Sequence, residues 1–152
     1  MRRRHAEARP GAPRMLVPFT GALDPTVLAA AVRIARAEGA VLVPAYLLIV
    51  PLQYGEDSPL QDEVEVALPL LEAVEREALS AGVPVDARIE KGRSRTHALR
   101  RLWDVERFDR LLVPAPTNGP GGGFTEEELA WLLVHAPAET ETLVLRPRTA
   151  AR

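Results

Sequence analysis

The stretch AVLVPAYLLIV, residues 40–50, contains no charged side chain and no alternation of apolar with polar positions. A strand with one wet face would alternate, so this run reads as a strand buried on both faces, the mark of a parallel sheet covered by helices. Pro44 within it lacks an amide hydrogen and puts part of its ladder in question. Toward the N-terminus, Asp24-Pro25 is a helix cap followed by proline at the first helical position, and Gly39 closes the helix TVLAAAVRIARAE. Leu28, Ala31, Val32 and Ala35 fall on one face of it. Before it, MLVPF at 15–19 is a first, short strand.

Toward the C-terminus, Ser58-Pro59-Leu60-Gln61 reads as a capping box, which predicts a helix from Ser58 to Ala81-Gly82 that Pro69 kinks or restarts. VPVDARIEKG at 83–92 alternates and predicts a strand nearer a sheet edge. A helix over 94–107, a strand FDRLLVPAP over 108–116, a helix over 125–135 and a strand TLVLR over 142–146 complete the series. Five strands alternating with four helices define an α/β fold, a single doubly wound Rossmann-like domain over residues 15–148. Residues 1–14 and 149–152 are expected to be a disordered basic leader and a disordered tail.

At 152 residues, 47% hydrophobic and 26% charged, the chain suits one globular domain. No apolar run reaches the roughly 18 residues of a membrane span, and MRRRHAEARPGAPR has no apolar stretch behind its basic start, so the expected setting is the cytoplasm. The absence of cysteine removes disulfides, thiolate metal sites and a cysteine nucleophile together. Five Arg and one Glu fall in residues 1–14 while the whole chain carries −2, so the remainder is acidic. Without aromatic residues, that leader is a weak footprint for nucleic acid, and neither specific nucleic-acid nor membrane binding is expected.

In a doubly wound sheet a ligand lies beyond the carboxyl ends of the strands where their order reverses, here between the first and fourth strands. The loops concerned are 20–24 and 114–124, and the second contains NGPGGGFTEEE from Asn118 to Glu128, three glycines before a helix start. The nucleotide-crevice candidates are Thr20, Gly21, Thr117, Gly119, Gly121, Gly122, Gly123 and Thr125. REALSAGVPVDARIEKGRSRTHAL at 76–99, followed by FDRLLVPAP, VHAP and TLVLRP, resembles the universal stress protein family over residues 15–147. That resemblance implies a five-stranded parallel sheet of order 3-2-1-4-5, and often a homodimer joined along the last strand, here Thr142, Leu143, Val144, Leu145 and Arg146.

Nucleotide-binding members of that family end the first strand with an acidic residue and carry G-x2-G-x9-G-[ST] after the fourth. Thr20 stands at the acidic position and Ala22 at the small hydroxyl that accompanies it. A register from Gly119 and Gly122 puts Leu132 and Leu133 where Gly and Ser/Thr belong, and one from Gly121 meets Phe124. A phosphate binds a helix N-terminus through free N–H groups and the positive dipole end, but Thr125 and Glu128 form a capping box that uses those donors. Glu126, Glu127 and Glu128 would also repel a triphosphate by a few kcal/mol each, taking separations of ~4 to 6 Å and an effective dielectric near 20. ATP binding is therefore expected to be weak or absent, unless magnesium bridges the carboxylates.

The other candidates have plain structural readings. Arg93 and Arg95 flank Ser94 at a helix start, where they could meet an anion, yet they read as solvated side chains at an edge strand, away from the crevice. His97 and His135 lack metal-ligand companions at suitable spacing, none of Ser58, Ser80 and Ser94 lies in a nucleophile elbow, and Lys91, the sole lysine, precedes no phosphate-loop signature. Glu63, Glu65, Glu72, Glu75 and Glu77 read as the wet side of the second helix, and Trp103 and Trp131 as core or interface residues. The leading reading is a homodimeric binding or regulatory module with no cofactor and no catalytic constellation. Its alternatives are an adenine-nucleotide binder (ATP or AMP, with magnesium) of weak ATPase activity using residues 119–123, and an enzyme using Thr20, Thr117 and Asn118.

Overall fold

The computed structural model describes the backbone of residues 2–5 and the whole of residues 8–116 and 123–146. In chain order the elements are β1 (Arg2–His5), β2 (Arg14–Phe19), α1 (Pro25–Glu38), β3 (Val41–Ile49), α2 (Gln61–Ser80), β4 (Val85–Gly92), α3 (Arg95–Val105), β5 (Arg110–Pro114), α4 (Glu126–His135) and β6 (Glu141–Leu145). They form one sheet ordered β1-β4-β3-β2-β5-β6. The last five strands in that order are mutually parallel and reproduce the 3-2-1-4-5 arrangement.

Alternation along each strand feeds two cores. Met15, Val17 and Phe19 of β2, Leu42 of β3 and Leu112 of β5 point to one face, where α1 brings Leu28, Ala31, Val32 and Ala35 and α2 brings Leu71, Val74 and Ala78. Leu16, then Val43, Ala45 and Leu47, then Leu111 and Val113 point to the other, against Ala98, Leu99 and Leu102 of α3 and Leu132 of α4. Right-handed crossovers explain this partition, because the chain steps one way from β2 to β4 and the other way from β5 to β6. The reversal falls between β2 and β5, which pair only at Met15↔Arg110 and Leu16↔Leu111. Pro44 is accommodated inside β3, whose pairing to β4 skips from Leu42↔Val85 to Ala45↔Arg88.

Four expectations are corrected. The leader is not without structure throughout, since Arg2–His5 pair antiparallel with β4 and Arg14 opens β2. Strand addition draws on backbone N–H and C=O groups, so arginines serve in it without any apolar signal. Ser58 does not cap α2: its carbonyl accepts from Lys91 Nζ, its N–H donates to Gly55 O at 3.0 Å, and α2 starts after Leu60, which has φ 45°. Burial of Leu60 against Leu48 and Val50 overrides the local capping preference. Pro69 stands inside α2, which runs on to Ser80, so of the two expected effects the restart is the one that does not occur. Glu75 is buried at 3% exposure rather than wet, because the helical period carries it to the inner face with Leu71 and Ala78.

Ser94, by contrast, caps its helix, Oγ accepting from His97 N at 3.1 Å. Urea unfolding should therefore separate the two serines: Ser94→Ala should cost about 1 kcal/mol, and Ser58→Ala less than ~0.5 kcal/mol.

Candidate functional site

Beyond Leu16 and Leu111 the central strands stop pairing, and α1, α3 and α4 all begin at the carboxyl end of the sheet. The crevice there is lined by Thr20, Asp24, Arg95, Pro114, Gly123 and Phe124, among others. Three helix N-termini would make it a strong anion site, but each is met by the chain's own oxygen. Asp24 Oδ1 accepts from Thr26 N at 2.7 Å, Ser94 Oγ from His97 N, and Thr125 Oγ1 from Glu128 N at 3.1 Å. Glu128 Oε1 returns the last contact by accepting from Thr125 N at 2.8 Å, which completes the expected capping box.

The crevice is also filled. Gly123 lies so close to the end of β5 that a Cβ there would stand 2.1 Å from Ala115 O, and Phe124 N donates to Pro114 O at 3.0 Å. This backbone contact delivers the Phe124 ring into the second core at 1% exposure. The Arg95 guanidinium lies 4.5 Å from that ring's centroid and grips Glu128, Nε to Oε2 at 2.9 Å and Nη2 to Oε1. The space left is about 10 Å³, no more than one water requires.

Arg95 is thus a crevice residue and not a solvated one, which corrects its expected place at the sheet edge. Arg93 is also engaged, its Nη1 donating to Pro51 O at 2.7 Å and so tying down the loop after β3. Of the crevice candidates, Thr20 and Gly123 line the site, Gly21 makes the turn after β2 at φ 70°, and Thr125 caps α4. Thr117, Gly119, Gly121 and Gly122 lie outside the described residues. Trp103 and Trp131 stack at 5.6 Å between α3 and α4, and His135 stacks on Trp131 at 4.6 Å. Among the described residues no three His, Asp or Glu side chains assemble as a metal site, and no helix is long and apolar enough to cross a membrane.

Two groups carry the electrostatics. Burial alone would push the Glu128 carboxyl up, but hydrogen bonds from the Arg95 guanidinium and the Thr125 backbone N–H outweigh it and hold the carboxyl below its usual range. Thr20 Oγ1 is buried without a hydrogen-bond partner among the described residues.

No protein-family model and no curated protein matches the chain. Among solved structures it is similar to a universal stress protein family member from Burkholderia pseudomallei, at TM-score 0.57 and 18% identity over 84% of this chain and 94% of that one. It is similar to a universal stress protein in complex with cAMP, at 0.59 and 22% over 91% and 98%. A family protein from Arabidopsis thaliana with AMP bound matches at 0.61 and 16% over 90% and 92%. The chain therefore has the universal stress protein fold.

Because Glu128 is held below its unfolded value of about 4.3, it contributes stability that is full above that pH and is lost as pH falls through its folded value. Urea unfolding should find Glu128→Gln less stable than the parent at pH 7, with the gap closing below about pH 4. Thr20→Val, which deletes an unsatisfied hydroxyl, should leave stability unchanged or raise it by about 1 kcal/mol; a loss of that size would reveal a partner for Oγ1.

Proposed function

We propose that this chain is a universal stress protein-like binding or regulatory module, homodimeric, that does not hold ATP tightly. The observation that carries this reading is the occupied crevice: Phe124 fills it, and Arg95 is committed to Glu128. A triphosphate would have to displace a buried aromatic ring and break a bidentate ion pair. It would also approach the carboxylates of Glu126, Glu127 and Asp24. Thr20, Leu132 and Leu133, where the family signature has acid, Gly and Ser/Thr, agree with that cost.

A second reading, an adenine-nucleotide binder, draws on the AMP and cAMP described for two proteins of the same fold. It would use Gly123 and Thr125 together with Thr117, Gly119, Gly121 and Gly122, with magnesium bridging the glutamates, and its ATPase activity would be weak. A thermal-shift titration with ATP, ADP and AMP, with and without magnesium, separates the two. A ligand at 100 times its Kd adds roughly 2.7 kcal/mol to the native state. The first reading expects no rise in Tm at millimolar nucleotide, and a nucleotide-specific rise gives the second.

The dimer reading is supported by β6, which pairs only with β5 among the described residues. Val144 on it is 41% exposed, and Leu133 and Val134 on α4 are 73% and 76% exposed. Unpaired strand edges call for cover, and apolar side chains left in water favour contact. Light scattering at micromolar concentration should give twice the chain mass of 16.6 kDa, and Val144→Lys should return it to one. Setting this module in the cytoplasm belongs to the same reading.

A further inference from the structure

Arg95 sits at the first position of α3, where a positive charge opposes the helix dipole and gains from an anion held against it. The anion it has is Glu128, itself at the third position of α4, and both side chains are one-fifth exposed. Beside Arg95 in the crevice lining, Thr20 Oγ1 lies buried with no hydrogen-bond partner among the described residues. An arginine and an unbonded hydroxyl thus line one small space, and the arginine is held by a carboxylate of the same chain.

We propose that the Arg95–Glu128 ion pair is an autoinhibitory latch on this crevice, and that a phosphate-bearing small ligand competes with Glu128 for Arg95. The carboxylate and a phosphate monoester offer the guanidinium the same pair of parallel acceptors, so the two exclude each other. The stacking of Arg95 on Phe124 couples the latch to the plug: moving the guanidinium uncovers the ring and widens the space. This deepens the proposed reading, in which the parent protein holds nucleotide weakly, by naming the contact responsible.

The experiment is a double-mutant cycle in isothermal calorimetry, with AMP in one arm and inorganic phosphate in the other. It uses the parent chain, Glu128→Gln, Arg95→Gln and the double variant. Glutamine keeps the capping box, so Glu128→Gln is expected to fold. Should it not fold, Glu128→Asp shortens the arm by one methylene and keeps the charge. The latch expects Glu128→Gln to bind AMP at least tenfold tighter than the parent, and the same change to bring no gain when Arg95 is already Gln. Equal gain in phosphate assigns recognition to the anion alone, while gain confined to AMP adds the nucleoside. No gain in either arm, or an equal gain with and without Arg95, overturns the latch, the second by reducing it to general repulsion. Tight binding by the parent would overturn the weak-binding reading instead, while the ratios within the cycle would still decide the latch.

Discussion

The structure depends on the central strands being buried on both faces. Leu42 and Val43 are neighbours in β3 and neither touches water, so each face of the sheet must be roofed by helices. Right-handed crossovers can roof both faces only if the strand order reverses once. That reversal is what brings three helix N-termini to one place. The crevice, its converging positive dipole ends and the acidic caps that answer them follow from the need to cover two apolar surfaces.

The acidic caps show how such a place is stabilised without a ligand. Asp24 and Glu128 supply the negative charge that helix starts favour, and Arg95 then balances Glu128. A site built this way is complete in itself, and any incoming anion has to exchange with groups already bonded. Thr20 is the exception, a hydroxyl with its atom buried and its bonding capacity unused among the described residues.

Most of the fold was legible because periodicity reports burial directly. The apolar run at 40–50, the Asp24-Pro25 start, the Gly39 stop and the Thr125/Glu128 box are local patterns, and the chain forms what they predict. What escaped was non-local. Leu60 overrides the Ser58 cap because distant Leu48 and Val50 bury it, and backbone pairing brings Arg2–His5 to β4 with no side-chain signature. Arg95 meets Glu128 across 33 positions of sequence, so its reading as a solvated helix-start arginine lacked the partner that changes its meaning. The one available sign was its unfavourable place at a helix N-terminus.

The two margins of the sheet differ in direction: β1 runs antiparallel to β4 and β6 parallel to β5, and each pairs with a single neighbour among the described residues. An antiparallel strand laid on a parallel sheet changes the hydrogen-bond pattern its edge offers, so the two margins present different ladders to any further strand.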